Sequence, residues 1–304
     1  MKNTLTIKRG AVCTAPIGLA GFAGNILAGA VALLLISAAF GDRVWAITGG
    51  GPDNGQHPYV AAMIAVSPVY GQLPFSGTLI HPRVILTAGH TALFVVSGEV
   101  TLLGVSLDEN VNVNDPSTWL SVSRVIYAYT GMWKTHTPPG YGRFGADIGI
   151  IILDKPVVGI TPATLPPPGL LDWLKATGQL RTGPDATEFT EVGYGYGLVW
   201  PPPQPIWPIS EQGIDTRKAA QSGYMSLNSA WLYLSQNQER GYGGGGLGDS
   251  GGPALWTDPS TGVEYVVGVG SGGDAQWVSF GNFFRVDTPF ALQFIQDAIA
   301  SVEE

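Results

Sequence analysis

The chain has 304 residues, 45% of them hydrophobic and 12% charged, enough for one large or two small globular domains. Its formal net charge is −8; without residues 1–46, which hold four basic residues and one acid, 11 basic and 22 acidic residues remain, a net of −11. That balance argues against a nucleic-acid partner, and 43 glycines and 23 prolines with little helical periodicity argue for an all-β body.

Residues 1–46 differ from the rest. Lys2, Lys8 and Arg9 form a positive head, an apolar run follows that is densest from Ile26 to Phe40, and Gly41 breaks it. Val44-Trp45-Ala46 then offers small or modest residues where a signal peptidase reads. The segment is read as an export signal, with or without a short pro-segment, and kept out of the fold. The expectation is a secreted protein that meets a membrane only through this signal. An uncleaved anchor is the rival, because Ile17 to Phe40 is long enough to span a bilayer. Cys13, the only cysteine, lies in this segment, so residues 47–304 form no disulfide. A domain of that size holds an ample core, and a monomer is expected.

Ile47-Thr48-Gly49-Gly50 opens the second region. Strands are expected over His57–Val66, Phe75–Ile80, Arg83–Thr87, Val100–Val105 and Leu120–Tyr127. His57 and His81 are read as surface turn residues, and His136 as a loop residue. Ala88-Gly89-His90 closes the third strand, and small residues there let the ring swing over a cleft. Asp147 stands at the mouth of the apolar strand Ile148–Leu153. A carboxylate buried there needs partners, and a histidine N–H would serve; a turn cap is the plainer reading.

A short helix is expected near Leu170–Ala176 and a strand at Phe189–Gly193. Residues 199–209 form a proline- and tryptophan-rich insertion, read as a surface loop. Trp231–Ser235, Tyr265–Gly270 and Phe280–Val286 are further strands. Thr288 caps a last helix, with Pro289 in its first turn and Phe290, Phe294, Ile295 and Ile299 on one stripe.

Between these strands lies Gly246-Leu247-Gly248-Asp249-Ser250-Gly251-Gly252-Pro253. A serine among glycines sits on a tight turn that presents Oγ outward and can aim the N–H groups of Gly248 and Ser250 at one point. His90, Asp147 and Ser250 thus stand in the chain order His, Asp, Ser. Gly248-Asp249-Ser250-Gly251-Gly252 also fits G-x-S-x-G, but α/β-hydrolases need a histidine after the serine. The last histidine here is His136.

The motifs Leu86-Thr87-Ala88-Gly89-His90, Ala146-Asp147-Ile148-Gly149-Ile150, Gly248-Asp249-Ser250-Gly251-Gly252-Pro253 and Gly268-Val269-Gly270-Ser271-Gly272-Gly273 resemble, in order, those of the trypsin/chymotrypsin-like serine proteases, especially disulfide-poor bacterial members. The resemblance covers residues 47–304 and implies a double six-stranded antiparallel β-barrel with a C-terminal helix. It implies His90 as general base, Asp147 as its orienting acid, Ser250 as nucleophile, and Gly248 and Ser250 N–H as the oxyanion hole. Ser271, Gly272 and Gly273 would pair with an extended polypeptide substrate.

The resemblance also implies an activation pair, in which a new ammonium at Ile47 inserts beside Asp249. Gly244 would sit at the base of the primary specificity pocket, where trypsin-like members have an aspartate, with Gly273 and Gly281 on its walls. A pocket without charge or bulk favours an apolar or aromatic residue. The glycine run 243–246 departs from the family, whose loop a disulfide usually braces. No metal or cofactor is called for. A non-catalytic binding or adhesion module on the same fold is the alternative.

Overall fold

The computed structural model describes residues 47–69, 71–130, 145–195, 216–274 and 277–303. Residues 1–46, read above as an export signal, His136 and the 199–209 insertion lie outside them.

The first sheet contains β2 (Val60–Ser67), β3 (Gly71–His81), β4 (Val84–Thr87), β5 (Thr101–Ser106), β6 (Val122–Tyr129) and β7 (Asp147–Leu153). Its order is β5-β2-β3-β4-β7-β6, all antiparallel. The bridge pair Val105–Leu120 draws its two edges together. The second sheet contains β8 (Glu188–Gly193), β9 (Lys218–Leu227), β10 (Trp231–Ser235), β11 (Pro253–Thr257), β12 (Glu264–Gly273) and β13 (Phe280–Arg285), in the order β9-β10-β13-β12-β11-β8. Pairing of β8 with β9 closes it, and the short β1 (Gly51–Pro52) adds to β9. This is the double antiparallel barrel expected.

Alternation explains why the strands read as apolar on both faces. In β2, Ala61, Met63 and Ala65 fill the first barrel, while Val60, Ala62 and Ile64 join a second core. In β7, Ile151 and Leu153 point one way and Ile148, Ile150 and Ile152 the other. That second core also holds Val192, Leu255, Val269 and Phe284, so it lies between the barrels. The period of two puts each face of a strand against a different apolar layer.

The described residues also hold two short 3-10 turns (Pro116–Thr118 and Gln238–Arg240) and three α-helices, α1 (Gly89–Ser97), α2 (Leu170–Ala176) and α3 (Pro289–Glu303). None of them is long and apolar enough to cross a membrane. Thr288 caps α3, its Oγ1 accepting from Ala291 N at 3.2 Å. Ala291, Leu292, Ile295 and Ala298 are the buried residues of α3, with Phe290, Phe294 and Ile299 at their margin. The expected stripe is therefore wider and built around small residues, which let the helix lie close.

Besides the two-residue β1, two strands were not anticipated. β9 (KAAQSGYMSL) is poor in β-branched residues, and β11 opens on a proline. Each is held by neighbours on both sides, and tertiary pairing overrides weak strand propensity.

Candidate active site

His90 does not hang from a strand end as the sequence suggested; it lies in the first turn of α1. Gly89 makes this possible. A Cβ there would lie 2.6 Å from Ala128 O and 2.8 Å from Ile148 N, so only glycine lets the helix start this close to β6 and β7. Asp147, fully buried at the start of β7, then grips His90 twice. Its Oδ1 accepts from His90 N at 2.7 Å, and its Oδ2 lies 2.9 Å from His90 Nδ1. The Ser271 hydroxyl, from β12, donates to the same Oδ2. An ionised Asp147 puts the ring proton on Nδ1 and leaves Nε2 as the basic nitrogen. Phe94 and Tyr129 flank the ring.

Ser250 sits on a turn nailed to both barrels. Ser76 N donates to Ser250 O at 2.9 Å, and Gly251 N to Gly270 O at 2.8 Å. Gly251 has φ +89°, and a Cβ on it would fall 2.1 Å from Thr87 Oγ1 and 2.9 Å from Ala88 N. The turn therefore abuts the residues that lead into His90. Among the described residues no hydrogen bond joins Ser250 Oγ to His90, and the N–H groups of Gly248 and Ser250 find no acceptor. Gly248, at φ +96°, adopts a conformation that side chains rarely take.

Ser250, Ser271 and Gly272 line one cleft with Ile47, Asp249, Trp277, Gly281 and Phe283. The cleft encloses about 350 Å³, open solvent at its mouth included. Gly273 and Gly281 are close-packed: Cβ atoms there would lie 2.6 Å from Phe280 O and 3.0 Å from Gln236 Nε2. Gly244 pairs with Thr48, each N–H donating to the other's carbonyl at 2.9 Å.

Gly244 itself does not line that cleft, which Gln236, Glu191, Gly245 and Gly246 line instead. Gln236 and Glu191 occupy the space beside Gly244: a Cβ there would stand 2.5 Å from Gln236 Nε2 and 2.8 Å from Glu191 Oε2. Glu191 Oε2 accepts from Gly245 N at 2.6 Å, and Ser222 donates to its Oε1. Burial pushes this acid up to about 7, against those bonds. Sequence reasoning passed over both residues. The available signal was parity: in β8 Glu191 shares a face with the buried Phe189, an unusual place for a carboxylate.

Ile47 is fully buried beside Asp249. Asp249 accepts from Gly246 N at 2.8 Å and Gly195 N at 2.7 Å. Burial nonetheless pushes it up to about 8, with the Glu191 carboxylate adding to the rise.

His57 also departs from expectation. It is buried, with Nδ1 on Asp53 and Nε2 3.6 Å from Glu264. Burial would lower its pKa, but those two carboxylates hold it at about 9. Its neighbours leave it outside the Ser250 cleft.

The trypsin family model matches residues 47–294, and the chain belongs to the trypsin/chymotrypsin-like serine proteases. No curated protein matches it.

Proposed function

We propose that the chain is a secreted serine endopeptidase working through an acyl-enzyme. Ser250 Oγ attacks the scissile carbonyl while His90 Nε2 takes its proton and then gives it to the leaving amine. Asp147 keeps the ring in the required tautomer and stabilises the imidazolium. The Gly248 and Ser250 N–H groups hold the oxyanion, and water then repeats the attack on the ester. Ser271, Gly272 and Gly273 pair with the extended substrate backbone. Trp277 and Phe283 give the pocket walls that favour an apolar side-chain body.

One observation carries this reading: Asp147 holds both the backbone N–H and Nδ1 of His90, which leaves Nε2 for a partner beside a serine turn with two unspent N–H donors. The missing Ser250–His90 hydrogen bond is compatible with it, since such contacts are often loose without substrate.

Activation follows from the Ile47–Asp249 pair. Cleavage after Ala46 by the export machinery creates an ammonium that inserts beside Asp249. The acid is held near 8 in the uncleaved chain, and a cation beside it would lower that value. One extra residue before Ile47 should therefore cut activity, and undiminished turnover would refute this part.

The test is intact mass of the exported protein before and after a fluorophosphonate probe, with Ser250→Ala as control. One adduct, absent from the control, is expected on a chain that starts at Ile47. No adduct on that chain would point to a binding module.

A further inference from the structure

Gln236 is 1% exposed, yet its Oε1 is a buried side-chain oxygen with no hydrogen-bond partner. The amide orientation is set by its surroundings. Nε2 donates to Gly245 O at 2.9 Å, on the side of the amide where the Glu191 carboxylate lies. A flipped amide would set oxygen against both. The backbone is fixed too, Gln236 N donating to Ser279 O at 3.0 Å. Oε1 therefore stays unspent in a side chain that lines the cleft Ser250 opens into.

An orphaned buried acceptor is costly, and a ligand donor can satisfy it. We propose that Gln236, braced by Glu191, forms an acceptor floor to the primary pocket. It selects a substrate residue, just before the scissile bond, whose apolar side chain ends in an O–H or N–H donor. The inference rests on the protease reading and adds the substrate class. Glu191 adds acceptor character to the floor while taking hydrogen bonds from Gly245 N and the Ser222 hydroxyl.

The experiment measures kcat/KM of the processed protein on peptides that differ only at that residue, in two isosteric pairs: Tyr against Phe, and Lys against norleucine. The donor-bearing member should win by about tenfold or more in the pair whose shape the cleft accepts, because a site built to bond a donor rejects the analogue that lacks it. Gln236→Met keeps the length and removes the amide. In that variant the preference should fall towards parity while fluorophosphonate still labels Ser250. Parity in both pairs with the native protein overturns the proposal, and so does an unchanged preference in a Gln236→Met protein that labels. If the variant does not label, the native pairs decide alone. A native protein that neither cleaves nor labels removes the protease reading itself, a different outcome from cleavage without preference.

Discussion

At Asp147 a single buried carboxylate takes hydrogen bonds from His90 N, His90 Nδ1 and Ser271 Oγ. Asp147→Asn keeps the shape but removes the charge that fixes the tautomer. In the serine-protease template that change lowers kcat about 10⁴-fold, and stopped-time peptide assays should find a loss of that order here. Gly251 is a second sensitive position, because its φ is +89° and Thr87 Oγ1 lies 2.1 Å from where a Cβ would be. Gly251→Ala should displace the serine turn and abolish probe labelling, whether or not the barrels survive by circular dichroism. Neither residue is rare in type; each matters because of what lies within 3 Å of it.

The elements carry the site by how closely they approach one another. α1 begins against β6 and β7 only because Gly89 has no Cβ. At the other end of the chain α3 is a support: Thr288 caps it, and Ala291 and Ile295 bury against the core between the barrels. Thr288→Ala should cost about 1 kcal/mol of stability in a denaturant titration and leave kcat/KM unchanged; a large catalytic loss would mean that α3 reaches the site. β9 and β11 teach the reverse lesson about legibility. Their own residues give a weak strand signal, and only pairing on both edges makes them strands.

Across the whole molecule, a buried polar network ties distant segments together. Asp53 bonds His57 and Arg217 Nε at 2.8 Å, Arg217 Nη1 lies 3.0 Å from Tyr194 Oη, and His57 faces Glu264 at the start of β12. Asp53 would be raised by burial, but its bonds to His57 and Arg217 hold it at about 2. Its stabilisation is present above 3.8 and lost as pH falls through about 2. His57 is raised from 6.5 to about 9, so its contribution is complete below 6.5 and lost as pH rises through 9. The full loss is on the order of 3 kcal/mol. Glu191 at about 7 and Asp249 at about 8 are raised as well, so they too destabilise the fold as pH climbs. The uncleaved chain should therefore show its highest Tm near pH 4 and a steady fall towards pH 9. His57→Gln should remove the His57 share of the fall above 6.5, leaving the part that Glu191 and Asp249 contribute up to about 8. A chain beginning at Ile47 should fall less, since an ammonium beside Asp249 keeps that acid ionised.

Short motifs of invariable chemistry were legible without coordinates: the glycine-flanked serine, the histidine after small residues and the aspartate before an apolar strand each declare themselves locally. So did the all-β class, since a period of two and turn residues are local properties. Which way a buried side chain faces is not local. The helix under His90, the burial of His57, and the occupation of the space beside Gly244 by Glu191 and Gln236 depend on residues tens of positions apart meeting within 3 Å. The sequence determined the chemistry available to this protein. Only the packing of the two barrels decided what stands on the floor of its cleft, because a glycine's missing side chain does not say whose side chain fills the gap.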